Sequence, residues 1–539
     1  MRRCVPVLLA VGGVLGAARA SGAEPVLTHC FPAGVARGAE TEVKLVGKFD
    51  PWPCRVWAST EGVSFTPGKD AGVCVVSVAA DARPGPCLIR ACNGEGVSLP
   101  IAIVIDDAPQ TTEAEPNNDP TAAQAVPAHG AIVNGRHEKS DDVDSFAVDL
   151  RQGQVLVARV EAYVLAAGYD PMLRIVDGAG RVLGFNHDHV TLDPFLAFTA
   201  PRDGRYVVQT MGHAYPASTD IRFAGGETCL YRLHLSTGPL VRNTWPLGVR
   251  QGSPVEVALE GWNLTETRAR IDPANPPAGL PVVVSTIPEL AESADAAPLI
   301  IPCAVSGRLE SPGQSDTFKF SASKDTVLVF SVGGRRLGSE IDARLTIRGS
   351  DGKELASSDD EGGFYEPRLV WTAPSDGEYS VTVGDVTHRG GEAFYYRLSL
   401  EPAAPSLTGT SPAHAFKVAA GQAAQVKVTA TPTHGYKAKV RLAAVGLPAG
   451  VTAAEVDVPE AGGEVTLSLV AEATAAASSG PLRLVLREVD GSREFPLTIA
   501  LATTGENNGV PQGYQQLLVN STDQLWLTVT APPTPAASK

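Results

Sequence analysis

Apolar and polar residues alternate along most of this chain in short runs. Phe146, Val148 and Leu150 alternate with polar neighbours, as do Tyr231, Leu233 and Leu235, and Tyr379, Val381 and Val383. A period of two puts one face of each run in a core and the other toward water, as in a β-strand. Asp177-Gly178, Asp203-Gly204, Asp351-Gly352 and Asp376-Gly377 punctuate the runs and favour tight turns. From about Pro405 the alternation continues through Val426/Val428, Val440/Leu442, Val456/Val458, Val465/Leu467/Leu469 and Leu482/Leu484/Leu486. No segment carries a long 3.6-residue period with caps. The pattern predicts an all-β chain of tandem β-sandwich domains.

The runs also recur at fixed spacings, the mark of internal repeats. Asp144-Ser145-Phe146 returns as Asp316-Thr317-Phe318, and Asp170-Pro171-Met172-Leu173 returns as Asp342-Ala343-Arg344-Leu345, both 172 residues on. After one inserted residue, 199–206 matches 372–379. Tyr231-Arg232-Leu233 then closes the unit, as Tyr396-Arg397-Leu398 does in the second copy. Cys229 falls opposite Phe394 and Trp371 opposite Phe198, which marks both as core positions. A second repeat is interleaved: Pro32, Gly34, Gly38, Val43, Leu45 and Gly47 match Pro246, Gly248, Gly252, Val257, Leu259 and Gly261 at a spacing of 214. The expected order is a leader over 1–23, unit A over 24–107 and unit B over 108–237. A short A′ follows over 238–297, then B′ over 298–402 and a C-terminal domain with its tail over 403–539.

Arg2 and Arg3 precede an apolar run from Val5 to Ala18, followed by small residues. This is the pattern of a secretory signal peptide, with cleavage expected near Ala20 or Ala23. The run is too short to span ~30 Å of hydrocarbon, so no membrane span is expected. A secreted, periplasmic or cell-surface location follows. Five of the seven cysteines after the leader (Cys30, Cys54, Cys74, Cys87 and Cys92) lie in A, where an oxidising compartment permits disulfides. Lys and Arg number 44 against 59 Asp and Glu, a net charge of −15 with no basic block. That excludes the clustered cationic surface that nucleic-acid binding needs.

Glu113-Ala114-Glu115-Pro116-Asn117-Asn118-Asp119, then Asp141-Asp142-Val143-Asp144-Ser145-Phe146, the Asp203-Gly204 turn before Tyr206 and the closing Tyr231-Arg232-Leu233 resemble the bacterial pre-peptidase C-terminal (PPC) domain. This family of small β-sandwiches occurs in secreted peptidases and other exported proteins. The resemblance covers about 108–237 and 298–402. The A units resemble immunoglobulin-like transcription-factor (IPT/TIG) domains through Pro-x-Gly and Val-x-Leu-x-Gly. The C-terminal segment resembles bacterial immunoglobulin-like modules through Gly446-Leu447-Pro448-Ala449-Gly450-Val451. Together these imply immunoglobulin-like and PPC or jelly-roll-like sandwiches.

Oxygen-bearing side chains crowd two stretches of B, and calcium takes six to eight hard oxygen ligands in flexible geometry. By resemblance to the collagen-binding modules of clostridial collagenases, which are of the PPC type, Glu113, Glu115, Asn117, Asn118, Asp141 and Asp144 would be calcium ligands. Asp142 would be a possible extra. The bland alternative is a solvated acidic linker with turn-forming Asn and Asp. Carried through at 172 residues, Glu113, Glu115, Asn117 and Asn118 become Ser285, Ile287, Glu289 and Leu290, while Asp141 and Asp142 become Gly313 and Gln314. Only Asp144 survives, as Asp316, so calcium is expected in B alone.

Other signals weigh less. His187-Asp188-His189 with Asp193 nearby could hold a transition metal, but its counterpart Ser358-Asp359-Asp360-Glu361 is polar too, and a solvated turn is expected. Trp52, between Pro51 and Pro53, is expected at the surface. No HExxH, GxSxG or local Cys/His signature occurs. The expected function is that of an exported, non-catalytic binding or spacer module for an extracellular polymer or surface protein. The alternative is an accessory subunit or non-classical member of a secreted peptidase system.

Overall fold

The computed structural model describes residues 22–276, 279–293, 297–361, 366–503, 505–507 and 510–532; the expected leader up to residue 21 lies outside them. The architecture is all-β, with three short 3-10 turns and no α-helix among the described residues. In A, a sheet of Val26–Phe31, Glu40–Lys48, Val73–Val78 and Val63–Pro67 packs on one of Gly34–Ala36, Ile101–Asp106, Gly85–Cys92 and Arg55–Ala58. Alternate residues from both sheets, such as Val43, Val76, Ile89 and Ile103, form the shared core, as the period of two requires.

B and B′ repeat one design. In B, Asp144–Leu150, Gly204–Ala214, Tyr169–Asp177 and Val182–Asn186 form one sheet, with the short Gln124–Ala125 pairing parallel at its edge. The other sheet runs Phe195–Thr199, Val155–Glu161, Leu230–Ser236, Ala131–Arg136 and Gln110–Thr112. B′ has the same order, Arg368–Thr372, Val327–Gly333, Tyr395–Pro402, Cys303–Arg308 and Glu289–Ala291, facing Ser315–Ala322, Gly377–Asp385, Ala343–Gly349 and Glu354–Ser358. Cys229 and Trp371 are buried in the respective cores. Among its described residues A′ carries a sheet of Leu240–Trp245, Val255–Trp262 and Arg268–Ile271 and a parallel pair, Gly248–Arg250 with Val283–Ser285. Eleven of the C-terminal strands join into one network, and Gly505–Asn507 pairs with Val510–Gln512 apart from it.

Trp52 departs from its expected place: it packs half-buried against the core of A, 5.6 Å from the Phe49 ring, and its indole N–H donates to Gly68 O at 3.0 Å. The seven cysteines among the described residues are free and buried, and burial pushes the Cys54 and Cys74 thiols up to about 11.

The A–B docking is repeated between A′ and B′. The Arg136 guanidinium lies over the Phe31 ring at 5.3 Å, and Arg308 lies over Trp245 at 5.3 Å. Gly34 N–H donates to Asn134 Oδ1, and Leu247 N–H to Ser306 Oγ. The fully buried Arg232 pairs across the boundary with Asp106 and within B with Glu161; its counterpart Arg397 pairs within B′ with Glu289. The C-terminal unit then closes back on A and B. Trp526, wholly buried, sits edge-on to Trp57 at 5.6 Å beneath Arg55 and Arg90. The Tyr514 ring packs tilted against those of Tyr163 and Tyr215 of B, each at 5.3 Å.

Candidate metal centre

Two segments of B converge at one end of its sandwich. One is the connection that follows Gln110–Thr112; the other is the loop between Ala131–Arg136 and Asp144–Leu150. Glu113 Oε1 accepts the Arg136 backbone N–H at 2.6 Å, which pins the connection to the strand. Its Oε2 faces Tyr231, whose hydroxyl lies 2.8 Å from Glu113 Oε2 and 2.7 Å from Asp144 Oδ2. Burial, reinforced by the Asp144 charge, pushes the Glu113 carboxyl up to about 9. Glu115 accepts the Asn117 N–H at 2.8 Å, and burial raises its carboxyl too. Asn118 Nδ2 donates to Asp142 Oδ1 at 2.8 Å, and Asp142 Oδ2 accepts the Glu138 N–H at 2.7 Å.

At the centre stand His137, Asp142 and Asp144, all fully buried, each offering a ligand atom within 4.8 Å of the others. His137 Nδ1 is 3.1 Å from Asp144 Oδ2 but lacks hydrogen-bonding geometry, and neither ring nitrogen has a partner. Asp144 Oδ1 and both amide atoms of the fully buried Asn117 are likewise unpartnered. Burying such groups without partners costs about 1–3 kcal/mol each. Among the described residues no Lys or Arg side chain pairs with Glu113, Glu115, Asp142 or Asp144. Two buried carboxyls, an imidazole and an amide, with no Lys or Arg beside them and with Asp144 Oδ1, the ring nitrogens and the amide lacking hydrogen-bond partners, fit a divalent cation, while Glu115 is exposed.

The sequence-expected set is thus only partly gathered. Asp144 and the extra candidate Asp142 are in the cluster, Asn118 is bonded to Asp142, and Glu113 is tied to Asp144 through Tyr231. Asp141 lies outside this cluster: it is exposed, and its Oδ1 accepts the Phe223 N–H at 3.2 Å. Its φ of 67° explains the position, where B′ has Gly313 at 80°. Asp is among the few residues that tolerate this left-handed turn conformation. His137 went unnoticed in the sequence because nothing local distinguishes it; its counterpart is the apolar Leu309, buried in the core of B′.

B′ also corrects the repeat alignment. Gln110 pairs with Ile132 and Glu289 with Ala304, so the connection in B is seven residues longer than in B′. Glu113 therefore corresponds to Glu292, not Ser285. Glu292 Oε1 accepts the Arg308 N–H at 3.0 Å, as Glu113 accepts that of Arg136. Tyr396 Oη bonds Asp316 Oδ2 at 2.7 Å. At Asp142's place Gln314 donates to Asp316 Oδ1 at 3.0 Å, the oxygen whose equivalent in B is bare. The solvated turn expected for the histidine motif is found in part: His187 pairs with Asp188 at 3.0 Å on the surface, while Asp193 accepts backbone N–H groups of 162–164.

Residues 314–385 match the bacterial pre-peptidase C-terminal domain family. No curated protein was found to match the chain. Among solved structures, the M60 catalytic domain with the CBM51-1 and CBM51-2 domains of Clostridium perfringens ZmpB is 9% identical, covering 71% of this chain and 46% of that one, with a TM-score of 0.16. Domains 1–6 of surface layer protein SbsC are 10% identical over 95% of this chain and 55% of that one, TM-score 0.15. The fibronectin(III)-like modules of Clostridium thermocellum CbhA are 11% identical over 41% and 88%, TM-score 0.13. The chain thus spans less than two thirds of the first two. Scores this low carry no statement about shape or function.

Proposed function

We propose that this chain is an exported, non-catalytic binding module for an extracellular polymer or surface protein, and that its first PPC-like unit holds calcium. The observation that carries the cation is the buried, unpartnered set of Asp144 Oδ1, Asn117 and His137 beside Asp142. The shared strand order of B and B′, with the family match in B′, supports a PPC-like identity for both. No described helix is long and apolar enough to cross a membrane. The packing of the last unit onto the first favours a compact binding platform over an extended spacer.

The oxygen-rich surroundings favour calcium. His137 favours a second reading, a borderline ion such as zinc or manganese, because imidazole nitrogen suits those metals better. Thermal unfolding of the mature full chain, stripped with chelator and then given calcium, manganese or zinc, tests both. A bound ion adds about 2.7 kcal/mol at a hundredfold excess over Kd. Stabilisation by calcium that survives His137→Leu supports calcium; stabilisation only by zinc or manganese, lost in His137→Leu, supports the second reading. No stabilisation by any ion removes the site. Asp142→Gln, the residue of B′, is expected to abolish the response without destabilising the chelated protein.

Cosedimentation with collagen, chitin, cellulose and cell envelope, with calcium or chelator, tests the binding function. Pelleting with none of them, together with cleavage of a peptide library, would favour the peptidase-system alternative.

A further inference from the structure

B, A′ and B′ meet around a cleft of about 610 Å³, within the ~300–1,000 Å³ common for small-ligand sites. Its aromatic wall crosses a unit boundary: His189 stacks on Phe195 at 4.9 Å and 23°, and Phe195 meets Trp262 of A′ at 5.0 Å and 41°. Arg242 lies over the Trp262 ring at 5.6 Å. Arg335 and Glu340 enter from B′, and Asp188 from B.

Two features say what this lining suits. Charges of both signs line it, Arg242, Arg335 and Arg389 with Asp188 and Glu340, and most are already engaged nearby: Arg242 pairs with Glu260, Arg389 with Asp385 and Asp188 with His187, while Arg335 donates to Ile341 O. A strongly charged ligand of either sign would meet lining groups of its own sign. Donor-only guanidinium groups, acceptor-only carboxylates and ring surfaces coexist, which matches a ligand with hydroxyls on its rim and C–H faces between them.

The fold does not demand these rings. Phe195 pairs with Arg159, and in B′ the same register places Arg368 opposite Ser331. The second copy therefore carries arginine where the first has Phe195, and Glu361 where the first has His189. An internal duplicate that folds without them frees both side chains for another role.

We propose that this cleft binds a neutral saccharide, its sugar ring against Phe195 and Trp262 and its hydroxyls bonded by Arg242, Arg335 and Glu340. The inference deepens the binding-module reading, on which it rests, and is independent of the cation site. Titration calorimetry of the mature full chain with cellohexaose, chitohexaose, mannohexaose and oligogalacturonate tests it. At least one neutral oligosaccharide is expected to bind, and Phe195→Arg and Trp262→Ala should each weaken it about tenfold or more. Phe195→Arg introduces the residue that the second copy carries at this position, so its melting temperature should stay near wild type and separate lost binding from lost folding. The proposal fails if no neutral oligosaccharide binds, if the acidic one binds best, or if both variants bind like wild type. Polymer cosedimentation that persists in Phe195→Arg would overturn the cleft and leave the binding-module reading standing.

Discussion

A tyrosine hydroxyl has one proton to donate, yet Tyr231 Oη sits within 2.8 Å of one carboxyl and 2.7 Å of another. Both can be satisfied only if a proton or a cation supplies the missing positive charge, and burial with the Asp144 charge pushes the Glu113 carboxyl toward holding its proton. B′ reaches a different one: Gln314 brings a neutral donor to Asp316, and burial lifts Glu292 to about 7. Gln314→Leu should therefore orphan Asp316 Oδ1 and destabilise B′ by about 1–3 kcal/mol. Urea unfolding checks this, and a change under about 0.5 kcal/mol, the range of ordinary surface substitutions, would refute it. At this scale the sequence showed the carboxylates but not His137, because a lone histidine becomes a candidate ligand only when folding buries it beside two aspartates.

At the scale of elements, the duplicated piece is the A–B pair together with its interface. Gly34 and Gly248 occupy the same place in each copy. An added Cβ would lie 2.5 Å from Arg232 Nε in one and 2.6 Å from Arg397 Nε in the other. Gly34→Ala must displace a fully buried guanidinium paired with Asp106 and Glu161, and overpacking of this kind costs about 1–3 kcal/mol. The expected signature is a lower melting temperature with faster proteolysis between A and B; an unchanged protease pattern would mean the docking tolerates the methyl group. The glycine spacing was legible from the repeats. Its purpose was not, since the arginine it accommodates lies about two hundred residues away in sequence.

At the scale of the whole molecule, the contact of first and last units rests on Trp526. Replacing this wholly buried ring by alanine should cost about 3–5 kcal/mol, with small-angle scattering reporting a larger radius if the two units separate. An unaltered radius and stability would show that the surrounding contacts suffice. His414 sits in the same seam, 3.3 Å from Arg90. Burial, with the Arg90 charge added, lowers its pKa from 6.5 to about 4. The folded state thus binds fewer protons than the unfolded state between those values, so stability should fall as pH drops from 6.5 toward 4. His414→Gln should flatten that slope in melting curves; an identical slope would place the acid sensitivity elsewhere.

Strand identity, the repeated order of units and the buried status of Cys229 and Trp371 follow from the sequence alone, because a period of two and a fixed repeat spacing are local or translational properties of the chain. The resemblance to a PPC domain was readable for the same reason. The cation cluster, the seven-residue difference that re-aligns Glu113 with Glu292, and the cleft between B, A′ and B′ were decided only by tertiary structure. Each depends on which distant residues share a buried volume, and packing rather than local pattern sets that.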